Sequence, residues 1–328
     1  MSFSHHQHHR NHTPSSTPYH ATAFTSAQPR LFRTLLLCFL SVSACLAAAQ
    51  SLGQPPAPQP VNAVDRATLL ALPPRAWAVE AAAKELITLH HPNSYLRYRM
   101  HIVDEKGDKV RDIIESKDGS VARLIYRDGH PLTPEQDAAE RSRLNAMLAS
   151  PSDFARHIRR DDEAKKIAHD IVQILPDAML YSYAADQPPS GVNGNSLEVV
   201  LDFKPNPSFN PPTTTSQALT GLMGRLWIDA KTKNVVRMEA NIFRPVNFGW
   251  GILAHLYPGG KITLDQADIG SQHWILTRFT QQVTVRALMV KSMKVESTVQ
   301  TSNFQILPGP ISYQQAVKQL LDTPLPTR

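Results

Sequence analysis

The sequence predicts an α+β fold built on an antiparallel sheet. Three observations carry that expectation. Short runs of alternating apolar and polar residues recur across residues 95–126 and again after Pro176, whereas helical patterns are confined to the start, the middle and the end of the chain. No strand–helix–strand rhythm repeats, so the strands are not joined by parallel crossovers. The run from Trp274 to Leu288 is long for a strand of an open sheet and suits one that curls across a concave surface.

The elements follow in chain order, after a leader. Residues 1–64 contain Arg10, Arg30 and Arg33 and no carboxylate; the first acid is Asp65. Six histidines (His5, His6, His8, His9, His12 and His20) lie in the first part of this stretch, among Ser, Thr, Gln and Pro. Clustered histidines bind divalent metals in some disordered tracts, but here they precede an export signal, and we expect no metal. Arg30 and Arg33 are followed by the apolar stretch Thr34 to Ala44, with the length and flanks of a signal-peptide core, and Ala47-Ala48-Ala49 offers the small residues of a cleavage site before Gln50. Val42-Ser43-Ala44-Cys45 also fits the motif at which bacterial lipoproteins are lipidated, making Cys45 an alternative mature N-terminus. A third alternative is an uncleaved anchor, for which the apolar stretch is short. All three place the rest of the chain outside the cytoplasm, in the periplasm or on the periplasmic face of an outer membrane, touching membrane only through the signal or a lipid.

The export reading also changes what the charge means. The chain carries 34 basic and 28 acidic side chains for a formal +6, but half of that excess sits in the acid-free leader. What is left is too little to bind a polyanion by charge, and no nucleic-acid partner is expected. Both cysteines, Cys38 and Cys45, lie in the targeting segment, so the remainder has no thiol nucleophile, disulfide or thiolate metal site. We divide the chain into a leader and signal peptide (1–49), a Pro-rich linker (50–64) and a single domain (65–328) with a helical insert at 133–175.

Within the domain, Asp65 to His90 reads as helix interrupted at Pro73-Pro74. Leu96, Tyr98, Met100 and Ile102 then alternate with Tyr95, Arg97, Arg99 and His101, and strands near Val110 to Glu115 and Val121 to Tyr126 flank a Lys117-Asp118-Gly119 turn. Thr133-Pro134-Glu135-Gln136 opens a helix, with Thr as N-cap, Pro at the first helical position and Gln placed for a capping box. A second helix, 152–175, follows the break at Ser150-Pro151, and the pair is expected to flank or cover the sheet. Leu197 to Phe203 alternates as a strand that stops at Pro205. Strands Gly224 to Asp229 and Val235 to Phe243 form a hairpin; three more follow near Ile262 to Asp268, Trp274 to Leu288 and Met293 to Gln305, before a short helix from Tyr313 to Leu321.

Gly224-Arg225-Leu226-Trp227-Ile228-Asp229 followed by Val235-Val236-Arg237-Met238-Glu239, after an exported N-terminus and an initial helix, resembles the periplasmic lipoprotein-carrier (LolA-like, outer-membrane lipoprotein-sorting) superfamily. The likeness spans roughly residues 65–305 and is architectural. It implies an unclosed β-barrel, a half-barrel, whose concave face is covered by helices and holds an acyl chain or other apolar ligand. The chain is longer than a minimal carrier, and no position matches the arginine that locks the carriers' lid, so the likeness assigns no functional residue.

Candidate residues come from the sequence itself. Phe243, Phe248, Trp250, Ile252 and Leu253 lie in an aromatic and glycine-rich loop that either closes the open end of the sheet as core or gates a ligand. Arg97, Arg99, Arg123 and Arg127, on adjacent strands, are expected on a solvated outer face that a lipid head group or acidic partner would meet. His169-Asp170 with His157 faintly resembles a phosphohydrolase metal pair, but twelve residues put the two histidines roughly 18 Å apart on one helix, too far to share an ion. His90 and His91 suit a helix C-terminus. No Gly-x-Ser-x-Gly, His-Glu-x-x-His, phosphate-binding loop or dinucleotide fingerprint is present. The expectation is therefore a non-catalytic envelope protein without cofactor or metal that binds an apolar or lipidated ligand. The alternatives are a sheet that docks an envelope protein partner as an interaction or sensor module and, third, a hydrolase with a non-standard site.

Overall fold

The computed structural model describes residues 63–90, 95–188, 197–249, 253–270, 273–287 and 291–326. Cys45, His91, Trp250 and Ile252, like the leader and residues 50–62 of the linker, lie outside the described residues. The fold is α+β, with a large curved antiparallel sheet of 13 strands that is not closed into a barrel, together with several helices.

Two helices lead in, α1 (Ala63–Leu70) and α2 (Pro74–His90), separated at the Pro pair. A meander follows: β1 (Leu96–Asp104), β2 (Gly107–Ser116), β3 (Gly119–Arg127) and the short β4 (His130–Pro131). The hairpin helices are α3 (Pro134–Ala149) and α4 (Pro151–Ala178). The capping box at the start of α3 is formed: Gln136 N donates to Thr133 Oγ1 at 3.3 Å, and Thr133 N to Gln136 Oε1 at 3.0 Å. Then come β5 (Met179–Tyr183), β6 (Glu198–Pro205), a 3-10 helix (Thr215–Gly221), β7 (Leu222–Asp229), β8 (Val235–Ile242), β9 (Val246–Phe248), β10 (Ala254–Leu256), β11 (Lys261–Asp268), β12 (Trp274–Ala287), β13 (Lys291–Ile306) and α5 (Tyr313–Asp322).

The strand order is β4-β3-β2-β1-β13-β12-β11-β8-β7-β6-β5, with β10 paired to β12 and β9 to β10. β13 thus joins the N-terminal meander to the C-terminal strands, pairing with β1 from Leu96↔Ile306 to Asp104↔Ser297 and with β12 from Arg278↔Gln300 to Ala287↔Lys291. β10 and β11 run along the same edge of β12, interrupted at 257–260, so the long β12 is paired over nearly its full length on that side and from Arg278 to Ala287 on the other.

The Trp227-Ile228-Asp229 turn has a local cause. Asp229 Oδ1 accepts from Lys231 N at 3.1 Å, Thr232 N at 2.6 Å and Thr232 Oγ1 at 2.8 Å, closing an Asx-type turn in which Lys233 adopts φ +65°. Gly224, the first residue of the same motif, is a close-approach site. A Cβ there would fall 1.9 Å from the Glu239 carbonyl oxygen, so only glycine lets β7 and β8 pair at this point.

Helices cover both faces of the sheet, at different places. On one, α3, α5 and the start of α4 bury Ile114, Val121, Leu144, Phe154, Val317 and Leu320, and the Phe154 and Tyr313 rings stack 3.8 Å apart. On the other, α2 and the C-terminal half of α4 lie over β5–β8 and β11–β12, where Trp77, Leu201, Ile228, Leu264 and Phe279 form one cluster and Phe203, Leu219, Ile242, Val283 and Val285 another. At 28 residues, roughly 42 Å at 1.5 Å per residue, α4 is long enough to serve both layers. Its N-terminal part meets the β2–β3 turn, where Gly119 at φ +125° leaves room for the Ile158 side chain.

The outer-face expectation for the arginines is corrected here. Register puts Arg99, Asp112 and Arg123 side by side, with Arg97 two residues along on the same face. That is the face α5 covers. Arg123 is only 2% exposed; its guanidinium donates to the carbonyls of Leu320 and Thr323 and to Asp137 at 2.8 Å, fastening α5 and α3 to the sheet. Arg97 pairs with Asp112 and donates to Thr323 Oγ1 at 2.9 Å. Arg99 is half-buried, and only Arg127 is exposed. The sequence signal failed because the covering helix lies about 200 residues downstream of the strands it caps.

Candidate functional site

Between α2, α4 and the 3-10 helix on one side and the sheet on the other lies a cavity of about 180 Å³. α2 contributes small residues, Ala78, Ala81 and Ala82, and α4 contributes Ala168, Ile171, Val172 and Leu175. The small α2 residues matter, because larger ones would occupy the space. The floor is apolar: Leu226 and Met238 from the β7–β8 hairpin, Ile262 and Leu264 from β11, Val283 and Val285 from β12.

Several contacts hold the roof in place. Trp77 is fully buried with Nε1 donating to Leu69 O at 3.3 Å, and Lys233 Nζ stands 3.5 Å from the centre of its ring while lying 3.7 Å from Glu80. Tyr183 OH on β5 donates to Leu69 O at 3.2 Å, tying the α1 end to the sheet. Arg75 on α2 donates to Pro176 O at 3.1 Å and pairs with Asp177, joining the two roof helices, and Tyr181 OH donates to Leu175 O at 2.9 Å.

Three buried polar side chains interrupt this lining. Glu85 projects from α2, and Gln266 Nε2 donates to both of its carboxylate oxygens at 3.2 and 3.3 Å. Burial pushes the Glu85 carboxyl up to about 7, and the hydrogen bonds from Gln266 and the Val235 backbone offset that only in part. Gln281 on β12 is 3% exposed and its Nε2 has no partner among the described residues; nor does Gln266 Oε1. Apart from Glu85, the only titratable side chain among the described lining residues is Tyr181, whose phenol burial drives upward; no Lys, Arg or His is among them.

The aromatic loop residues part company. Phe248 is buried on β9, packs in the core cluster and lines the cavity. Phe243, at the end of β8, is 44% exposed with the Arg244 guanidinium 5.5 Å from its ring centre. Leu253 is 48% exposed, its N donating to Phe248 O at 3.2 Å. Of the histidines on α4, His157 Nε2 is 3.0 Å from Ser120 O and 3.8 Å from Asp161, contacts that dock the helix on the β2–β3 turn. Among the described residues no three His, Cys, Asp or Glu side chains are grouped to hold a metal, and no helix is long and apolar enough to cross a membrane.

The sequence reading missed Glu85, Gln266 and Gln281. A signal for the glutamines was present: each occupies an inward phase, Gln266 after Ile262 and Leu264, Gln281 between Phe279 and Val283. No family model matches the chain, and comparisons with curated proteins and with solved structures find no similar protein.

Proposed function

We propose that this protein is a non-catalytic binding protein of the cell envelope that holds an apolar or lipidated ligand between its roof helices and its curved sheet. The observation that carries the reading is the cavity: an apolar lining under two helices that contact the sheet through a few anchor points, so that a chain entering it leaves water for a surface of aliphatic side chains. The aliphatic side chains that make up most of its lining favour an apolar occupant over water along those walls. The export signals of the N-terminus support the envelope assignment. The residue inventory of the cavity supports binding over chemistry, since its one carboxylate is held by an amide and the described lining residues include no second acid and no Ser, Cys, His or Lys.

Native mass spectrometry after detergent-free purification tests this. The expected result is a copurifying apolar adduct at one per chain, released on denaturation. An adduct-free protein that also takes up no fluorescent apolar probe contradicts it.

A further inference from the structure

Resting on the reading of the cavity as a ligand site, we infer that its ligand carries an uncharged hydrogen-bond acceptor within its apolar chain, as in an ester, amide or un-ionised acid carbonyl, and that Gln281 is the residue that selects for it.

The argument begins with where Gln281 stands. On β12 it lies between Phe279, in the cluster under Trp77, and Val283, in the cluster under the 3-10 helix, and it is the first of the three residues, with Val283 and Val285, that this strand gives to the lining. Its register partners are Ile262 on β11, an aliphatic side chain, and Ser297 on β13, and neither gives its Nε2 a hydrogen bond. The side chain is 97% buried by its 3% exposure, it lines the cavity, and its Nε2 donor has no partner among the described residues. A donor buried in that state is unfavourable, and an apolar residue of similar volume would remove the penalty. An acceptor arriving with the ligand satisfies it.

The Glu85–Gln266 pair is a separate station. Gln266 lies four residues beyond Ile262 on β11, roughly 13 Å at 3.3 Å per residue, with Leu264 and its register partner Phe279 between. That pair uses the Gln266 amide N–H internally, leaving Gln281 as the cavity's unspent amide donor. The charge on the acceptor is constrained as well. No cation lies among the described lining residues, and the one acid present, Glu85, would repel a carboxylate brought into the same dry space. An uncharged carbonyl meets both conditions.

The test is displacement of the fluorescent probe N-phenyl-1-naphthylamine from the purified protein by methyl dodecanoate, dodecane and dodecanoate at pH 8, with Gln281→Leu measured beside the wild type. The wild type is expected to release the probe to the ester at roughly five-fold lower concentration than to dodecane, the value of one typical hydrogen bond, with dodecanoate weaker than the ester. In Gln281→Leu the ester and dodecane should become equivalent, with thermal stability unchanged or raised. Equal displacement by ester and dodecane in the wild type overturns the inference and needs no variant to fold; so does a preference that survives in Gln281→Leu, or dodecanoate outcompeting the ester. Each of these leaves the ligand-binding reading standing. Failure of the probe to bind, or of all three compounds to displace it, removes that reading and the inference with it.

Discussion

Glu85 makes the most specific prediction at the scale of a single residue. Its carboxyl is buried under α2 and raised to about 7 from an ordinary 4.5, with burial as the cause. Below pH 4.5 the folded and unfolded chains both hold the proton. Between there and pH 7 the unfolded chain releases it while the folded chain keeps it, so the stability this site contributes is present at low pH and lost as pH rises through the folded value. The full difference corresponds to about 3 kcal/mol. Glu85→Gln should therefore leave the melting temperature at pH 4.5 nearly unchanged and raise it by several degrees at pH 8; a constant difference across that range would contradict the assignment. Asp229 carries a second prediction at this scale. Its carboxylate takes three hydrogen bonds within the β7–β8 turn, and Asp229→Ala should cost about 1–3 kcal/mol in denaturant unfolding, the penalty of leaving such donors unmet. The turn itself was legible in the sequence because Asp, Thr and Lys-Asn stand where a turn needs them. Glu85 was not, because a lone Glu on an amphipathic helix reads as its solvated face until the opposing strand is known.

Among the elements, strands with clean alternation were legible and short ones were not. β6, β7, β8, β11, β12 and β13 fall within a few residues of their expected positions, although β6 is buried on both faces from Glu198 to Leu201. β9 and β10 have three residues each, too few to establish a period, and β5 follows directly from α4 without a turn residue between them. The C-terminal helix α5 was expected, but not its place over the meander, which depends on Arg123 and on the Phe154–Tyr313 stack. Arg123→Ala should cost about 1–3 kcal/mol, because it removes the buried guanidinium that joins two carbonyls and the partly buried Asp137 carboxylate. Hydrogen exchange should show α5 losing protection first in that variant. If β5–β8 exchange as early as α5, the two helical layers are not separate in the way the packing indicates.

For the molecule as a whole, one sheet serves two layers of helices with different jobs. The layer of α3 and α5 is anchored by a buried arginine and stacked rings over a cluster of buried apolar side chains, whereas the layer of α2 and α4 leaves an apolar space whose roof is made partly of alanines. That contrast is the basis for placing binding under α2 and α4. It also shows why the site was harder to read than the fold: a cavity is the space left by residues distant in sequence, and the alanines that make it are ordinary helix formers in isolation. The most direct measurement is titration of N-phenyl-1-naphthylamine into the wild type and into Ala82→Phe, which sets a ring into the cavity from its α2 wall. We predict one saturable site per chain in the wild type and none in Ala82→Phe, with the far-ultraviolet circular dichroism and cooperative melting of the variant retained. Undiminished uptake by a folded Ala82→Phe would contradict the claim that this cavity is where the ligand binds.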